Sequence, residues 1–243
     1  MGVAMTGRDN PEVTVHRMYP AGRGNPVFYG SLARDTETCR HLLACALWEH
    51  LLVLKSPLWD HCRTSSRTAS PVQVLSGPLG KPCLQVAGFR GPAVSFSECG
   101  GKVWAALSGD ESEIGIDVAG ADEFPKDYPV HRVFHPEELQ HALRLAGGDR
   151  ANACALLWSI KEAFVKALGC AFHFVDPLQV RVCSAAGEAH GSDGGYVFPV
   201  GLSAKNQSRF PPSLNRRLSV SSRPLSQMWL SIAHLNRGAA VHE

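Results

Sequence analysis

The sequence predicts an α+β fold, in which short strands and a few helices occur in both halves of the chain. Apolar residues at helical spacing indicate the helices, and short apolar runs bounded by Gly and Pro indicate the strands. Hydrophobic residues make up 44% of the 243 residues and charged residues 19%, which is enough apolar material for a sizeable core. A break near Ser108–Glu113 divides the chain into an N-terminal α+β half, residues 1–110, and a C-terminal α+β half, residues 111–243.

Three helices are predicted. Thr36–Leu54 carries leucines and alanines at helical spacing, as an amphipathic helix does. His135–Leu145 has a proline in its first turn and is followed by Gly147-Gly148, a usual way to begin and end a helix. Ala151–Leu168 has the same kind of spacing and stops before Gly169.

Strands are predicted where short apolar runs lie between turn residues. Two of these runs flank Gly100-Gly101 and predict a hairpin. Residues 1–30 and 56–80 are otherwise predicted as turns and loop, and Ser203–Ser226 as one long loop. The predicted strands are Val13–Met18, Val72–Leu75, Ala93–Phe96, Val103–Leu107, Ile114–Val118, Val175–Val182 and Met228–Ala233.

Composition excludes several classes of protein. The net charge is only +2 and no run of Lys or Arg occurs, so a dedicated nucleic-acid binder is not expected. No apolar run approaches the roughly 18 residues of a membrane helix. The eight cysteines form no Cys-x-x-Cys pair, which argues against a zinc site, and we interpret them as reduced thiols of a cytoplasmic protein.

The segment Trp158–Gly169 places Glu162 and Lys166 four residues apart, on one face of the predicted helix. Such a pair is often an exposed salt bridge and nothing more. It can also present a carboxylate and an ammonium side by side to a metal–phosphate group, because Mg²⁺ prefers oxygen ligands and an ammonium suits a phosphate oxygen.

Asp117 lies among apolar residues of the predicted strand Ile114–Val118. A carboxylate in that setting either caps a neighbouring turn or binds a metal, since it is costly to bury without a partner. An Asp from a strand and a Glu from a helix are ligands that a Mg²⁺ bridging a pyrophosphate would use. Lys81, next to a turn in Gly80-Lys81-Pro82, fits either a surface loop or an anion contact, and the segment is not a Walker A loop.

Several short motifs follow one another in a characteristic order over residues 80–182. Together they resemble the signature motifs of the 4′-phosphopantetheinyl transferase superfamily, in its surfactin-synthetase-activating type. A weaker similarity lies in Arg40–Leu47. The motifs are Gly80-Lys81-Pro82, Ser95-Phe96-Ser97, Gly115-Ile116-Asp117, Arg132-x-Phe134-x₃-Glu138 and Trp158-Ser159-x-Lys161-Glu162-x₃-Lys166.

The resemblance implies a magnesium-dependent reaction. Members of this family transfer 4′-phosphopantetheine from coenzyme A to a serine of an acyl or peptidyl carrier protein and release 3′,5′-ADP. They serve fatty-acid, polyketide and nonribosomal peptide biosynthesis. The implied fold is a pseudo-twofold duplication of two similar α+β halves with the active site in the cleft between them, so a cytoplasmic monomer is expected.

The resemblance also implies roles for individual residues. Asp117 and Glu162 would bind Mg²⁺, and Glu162 would help to deprotonate the attacking serine, directly or through water. Lys166 would hold the pyrophosphate and offset charge on the leaving phosphate. The coenzyme would be contacted by Lys166 and by Lys81, Ser97, Glu98 and Arg40.

The chain departs from the family pattern at two positions near the expected site. Ala119 stands where the family commonly has a second acid. Glu98 stands where a His usually faces the coenzyme 3′-phosphate, and a carboxylate there would repel phosphate unless it were turned away, protonated or paired. The family often has basic residues before its first helix, and Arg23, Arg34 and Arg40 are the candidates for that role in this chain. These departures keep open a second interpretation, a catalytically impaired relative that binds coenzyme A or a carrier protein.

Overall fold

The computed structural model describes residues 13–19, 26–33, 38–53, 57–60, 72–170, 172, 174–185, 195–203 and 218–235. These residues form helices and two antiparallel sheets, so the predicted α+β class is confirmed. In the first half the elements are β1 Val15–Met18, β2 Val27–Ala33, α1 Cys39–Val53, β3 Gln73–Ser76, β4 Pro82–Val86, β5 Phe89–Cys99 and β6 Lys102–Ser108. In the second half they are β7 Glu113–Gly120, α2 Pro136–Leu145, α3 Arg150–Ala167, β8 Val180–Val182, β9 Tyr196–Leu202, β10 Leu218–Leu225 and β11 Met228–Leu235.

Each sheet has a helix packed on it. Among the described residues, the first sheet has six strands in the order β1-β2-β6-β5-β4-β3, and α1 packs against β2 and β6. The second has five strands in the order β7-β11-β10-β9-β8, and α3 lies across β7 and β11. The prediction that the two halves are related by a pseudo-twofold duplication remains a prediction.

A buried seam joins the two sheets. Val27, Tyr29 and Trp104 of the first sheet pack against Ile116 and Ile232 of the second. Two further apolar clusters lie between α1 and the first sheet and between α2, α3 and the second sheet. Apolar burial on this scale is the main favourable contribution to folding. It holds the elements that carry the candidate site.

Side-chain hydroxyls, rather than a continuous backbone ladder, connect β5 to β7. Ser95 Oγ accepts a hydrogen bond from the backbone N–H of Ile116 at 3.1 Å, and Ser97 Oγ accepts one from that of Val118 at 3.1 Å. β7 is an edge strand of the second sheet, so these N–H groups would otherwise be buried without a partner. The two serines therefore satisfy the open edge of β7.

The three predicted helices are confirmed, with boundaries that shift by a few residues. The predicted strands Val13–Met18, Val72–Leu75 and Met228–Ala233, the hairpin around Gly100-Gly101 and the strand at Ile114–Val118 also correspond to observed strands. No helix in the described part of the chain combines the length and apolarity needed to cross a lipid bilayer.

Four strands escaped the sequence analysis. β2 lies partly in the stretch predicted as turn-rich, and β4 was not expected beside its prolines. β10 falls inside Ser203–Ser226, so the prediction of a loop is wrong for Leu218–Leu225, while residues 204–217 lie outside the described residues. Its serines misled the prediction because Ser221 and Ser222 are buried, with 4% and 1% exposure. β9 was also missed.

The predicted strand Val175–Val182 is too long. Asp176 accepts a hydrogen bond from the backbone N–H of Leu178 and caps a short 3₁₀ turn, Pro177–Gln179. Only Val180–Val182 is extended. A capped turn with Pro in its first position competes with strand at this point.

Candidate active site

Asp117 projects from β7 toward α3. Successive side chains of a strand point to opposite faces, and Ile116 packs in the seam between the sheets, so Asp117 faces the other way. Gly115 shares that face, and a Cβ atom built on it would lie 2.0 Å from the backbone oxygen of Ala163. The helix therefore approaches β7 more closely than a side chain at this position would allow.

This close approach brings Lys166 onto Asp117. Lys166 Nζ lies 2.8 Å from Asp117 Oδ1 and 3.9 Å from Glu162 Oε1, and it donates to the backbone oxygen of Ile116 at 3.3 Å. The side chains of Asp117, Glu162 and Lys166 are 7%, 24% and 26% exposed. The simple i,i+4 salt bridge of the sequence analysis thus exists, but it is the longer of the two ion pairs of Lys166.

Burial raises the pKa of Asp117 to about 6; the charge of Lys166 opposes this shift, and the neighbouring carboxylate of Glu162 adds to it. The pKa of Glu162 is also raised by burial, against the effect of Lys166 and with a contribution from Glu123. Two carboxylates and one ammonium leave this cluster with a surplus of one negative charge when both acids are ionised. It is an environment that favours an additional cation.

The cluster fits a magnesium ion. Two carboxylates with raised pKa values supply hard oxygen ligands, and bound Mg²⁺ usually retains several waters and substrate oxygens. No group of three or more His, Cys, Asp or Glu side chains suited to a metal occurs among the described residues. Asp117 and Glu162 are the candidate protein ligands, and Ala119 of the same strand face offers no carboxylate.

A cleft of about 520 Å³ opens beside this cluster. The first half contributes residues of α1, β3, β4 and β5 to its wall, and the second half contributes Ile114 of β7 and the C-terminal end of α3. Lys166 lines the cleft and also contacts Asp117. The cationic lining residues are Arg40, Lys81 and Lys166, with His41 beside them. Apolar lining residues include Leu75, Leu79 and Phe96.

Glu98 is paired with Arg40. Arg40 Nη2 lies 2.9 Å from Glu98 Oε1, and the guanidinium lies 5.7 Å from the centroid of the Phe96 ring. Arg40 lines the cleft. A carboxylate is tolerated near a phosphate if it is turned away, protonated or paired, and the Glu98 carboxylate is paired.

Lys81 spans the two halves of the chain. Its Nζ lies 2.6 Å from Glu113 Oε2 and donates to the backbone oxygen of Ala167 at 3.1 Å. The side chain is 20% exposed, and Arg90 approaches the second oxygen of Glu113 at 3.5 Å. Lys81, the residue before β4, thus connects the first half to the start of β7 and the end of α3, at the wall of the cleft.

Ser97 contacts Asp117. Its hydroxyl donates to Asp117 Oδ1 at 2.8 Å while it accepts from Val118, and the residue is 6% exposed. Its predicted contact with the nucleotide end of the coenzyme remains a prediction. The contact between this hydroxyl and the Asp117 carboxylate was not predicted from the sequence, although the alternation of Ser95 and Ser97 on one strand face was a usable signal.

A buried ion pair supports α3 on its other side. Lys161 is 0% exposed, and its Nζ lies 2.9 Å from Glu138 Oε2 and donates to the backbone oxygens of Val133 and Pro177 at 3.0 Å each. Glu138 accepts in turn from the N–H of Val182 at 2.8 Å. Both residues lie within the motifs that resemble the family, and no role for either was predicted from the sequence. They fix the turn of α3 that carries Glu162.

Comparison with known proteins shows a similarity to one family. Residues 113–193 match the family model of the 4′-phosphopantetheinyl transferase superfamily. The chain is also 36% identical over 101 residues to a protein of Synechocystis sp. named "Putative 4′-phosphopantetheinyl transferase". That match spans 40% of this chain and 40% of the length of the relative. Residues 113–193, which include β7, α2 and α3, are therefore similar to the 4′-phosphopantetheinyl transferase superfamily.

Proposed function

We propose that this chain transfers 4′-phosphopantetheine from coenzyme A to a serine of an acyl or peptidyl carrier protein, with Mg²⁺, and releases 3′,5′-ADP. The observation that carries the proposal is the cluster of Asp117, Glu162 and Lys166 at the edge of a cationic cleft, within the segment that matches the family. We assign it to the surfactin-synthetase-activating type, on the order of its motifs.

The cleft suits a ligand that carries phosphates close to a flat ring, as the 3′-phosphoadenosine end of coenzyme A does. Arg40, Lys81 and Lys166 offer positive charge for the phosphates of coenzyme A, and Leu75 and Leu79 offer apolar surface. Glu98 lowers the positive charge that Arg40 presents, because the two side chains are paired. Ser97 acts on the coenzyme through Asp117, whose carboxylate it holds.

Asp117 and Glu162 would hold the magnesium ion, which when bound would neutralise charge on the pyrophosphate. The serine oxygen of the carrier forms a bond to the phosphorus of the phosphopantetheine group, and the bond from that phosphorus to the leaving 3′,5′-ADP breaks. Glu162 takes the proton of the serine hydroxyl, for which a raised pKa is favourable in a general base. Lys166 offsets the charge that develops on the leaving phosphate.

The reaction can be tested by intact-protein mass. The chain is incubated with coenzyme A, Mg²⁺ and either an apo acyl carrier or an apo peptidyl carrier protein, with serine-to-alanine carriers as controls. We expect the mass of one phosphopantetheine to be added to the serine-containing carriers only. Asp117→Ala and Glu162→Ala should each abolish the gain while the protein stays folded, and a near-normal rate in either variant would refute the metal assignment.

A second candidate function is that of an impaired relative that binds coenzyme A or a carrier without transfer. Ala119 and the Glu98 carboxylate favour it, because one removes an expected ligand and the other places negative charge near the cleft. Coenzyme binding with no mass gain on any of several carriers would support this candidate and contradict the first.

We further propose that the protein is a monomer of the cytoplasm. Cys83, Cys99 and Cys154 are free thiols, which suits a reducing compartment. Sedimentation of the purified protein tests the monomer directly.

A further inference from the structure

Lys166 has two sets of possible partners within reach. Its ammonium contacts Asp117 Oδ1 at 2.8 Å and lies 3.9 Å from Glu162 Oε1, so it faces both carboxylates that would bind a divalent cation. The same side chain lines the cleft and is 26% exposed. The four-carbon stem of a lysine is flexible, so a small rotation would turn the ammonium from the carboxylates into the cleft.

We propose that Lys166 is an exchangeable counter-ion of the metal site. Its ammonium neutralises Asp117 and Glu162 until a divalent cation displaces it, and the displaced ammonium then meets an anionic ligand in the cleft. This inference rests on the proposed function, because it takes Asp117 and Glu162 as the metal ligands. It adds an order of events, in which the lysine changes partner as metal and coenzyme arrive.

Competition of this kind weakens metal binding in the absence of coenzyme. The apparent affinity of a ligand falls in proportion to the fraction of molecules in which its site is available. If the ammonium occupies the carboxylates in about nine molecules of ten, removing it should strengthen metal binding about tenfold. An anion in the cleft should have the same effect by attracting Lys166, so metal and coenzyme should each strengthen the binding of the other by an equal factor.

The exchange can be measured without any turnover. Mn²⁺ is titrated calorimetrically into the wild-type protein and into Lys166→Met, with neither coenzyme A nor carrier present. We expect the variant to bind Mn²⁺ about tenfold more tightly. Lys81→Met is the matched control, because Lys81 lines the same cleft but its ammonium contacts Glu113 instead of Asp117, so its Mn²⁺ affinity should stay within about twofold of the wild type.

The outcomes separate this inference from the proposed function. Equal or weaker binding by Lys166→Met overturns the exchange and leaves the magnesium assignment intact. Absence of Mn²⁺ binding in both wild type and variant overturns the exchange and the magnesium assignment together. A comparable gain in Lys81→Met overturns the exchange as well, since the effect would then be general charge and not displacement.

A second measurement uses only the wild-type protein. Lysine amines are labelled briefly with acetic anhydride, with and without saturating Mn²⁺, and the extent of modification is read by peptide mass spectrometry. Displacement from the carboxylates should increase the modification of Lys166 several-fold while that of Lys81 changes little. Unchanged or reduced labelling of Lys166 overturns the proposal, and this result does not depend on how well the variant folds.

Discussion

Asp117 shows how one residue can be both unfavourable for folding and suited to chemistry. Its side chain is 7% exposed, and its Oδ1 accepts hydrogen bonds from both Ser97 and Lys166. Burial nevertheless keeps its pKa raised, to about 6. Such a carboxylate is costly in the folded protein at neutral pH, and strongly perturbed acids of this kind are frequent at functional sites.

The cost should appear as a dependence of stability on pH. A raised pKa means that the folded state binds the Asp117 proton more tightly than the unfolded state does. In the unfolded state the pKa of this carboxyl is about 4. The stabilisation from the protonated form is thus complete below about pH 4 and is lost as the pH rises to about 6. Asp117→Asn cannot titrate, so the unfolding free energy of the wild type relative to this variant should fall over that interval, as measured by urea denaturation.

Asp110 supplies a control of opposite sign. Burial would raise its pKa, but the His234 imidazole, whose Nε2 lies 3.5 Å from Asp110 Oδ1, and hydrogen bonds from Ser112 and Ser108 hold that pKa well below the ordinary value. Its contribution to stability is present above about pH 4 and is lost below it. Asp110→Asn should therefore destabilise the protein, and this loss should shrink as the pH falls below about 4. If the difference between the wild type and Asp117→Asn stays flat between pH 4 and 6, the raised pKa of Asp117 is wrong.

The roles of Ser95 and Ser97 in β5 can be distinguished because Ser97 has a second hydrogen-bond partner, Asp117. Ser95→Ala and Ser97→Ala each leave one buried N–H of β7 without an acceptor, so each should lower the unfolding free energy by about 1–3 kcal/mol. Only Ser97 also donates to Asp117. We expect Ser97→Ala to weaken Mn²⁺ binding and slow transfer more than Ser95→Ala at equal loss of stability. Equal effects on both would show that Ser97 has no positioning role.

At the scale of elements, contacts on two sides hold α3 in place, and this positions Glu162 and Lys166 at the candidate site. Gly115 lets the helix lie against β7, and the buried pair of Lys161 and Glu138 anchors it to α2 and the strand that follows. Its apolar face was readable from sequence spacing. The close approach at Gly115 was not, because it depends on which turn of the helix lies over which residue of the strand.

The buried pair should matter far more than an exposed one. Lys161→Met leaves the Glu138 carboxylate buried without its cation, which should cost about 3–5 kcal/mol of unfolding free energy. Arg181→Met removes the exposed partner of Glu137, where the atoms are 3.7 Å apart and the side chains are 44% and 89% exposed. That change should cost less than about 1 kcal/mol. Chemical denaturation of both variants checks the comparison, and similar losses would contradict the anchoring role of Lys161.

At the scale of the whole molecule, the described residues form two sheets that meet along a seam, and residues of both halves line a cleft. The sequence was sufficient for the α+β class, the three helices and the candidate residues Asp117, Glu162 and Lys166, which the fold brings together. It was not sufficient for β10, whose buried serines resemble loop composition. The pairing of Arg40 with Glu98 joins residues 58 positions apart and depends on the packing of α1, which no local pattern encodes.

The pairing of Arg40 with Glu98 has a measurable effect on the whole cleft. Glu98→Gln removes a negative charge and releases the Arg40 guanidinium. The ion pair between the two side chains is partly exposed, so it contributes little to the stability of the fold. Coenzyme A should therefore bind about two- to fivefold more tightly. Arg40→Gln removes the cation that lines the cleft and should weaken binding. Fluorescence or calorimetric titration at low salt measures both, and weaker binding by Glu98→Gln would mean that the carboxylate assists the ligand.

The serine hydroxyls along β7 also have a consequence for hydrogen exchange. The amides of Ile116 and Val118 donate to side chains of β5, which belongs to the other sheet, and not to a neighbouring strand of their own. Fraying of the second sheet from its far edge at β8 would leave them covered, whereas parting of the sheets would expose them at once. The exchange rates of these two amides with deuterated water therefore report how often the two halves of the cleft separate.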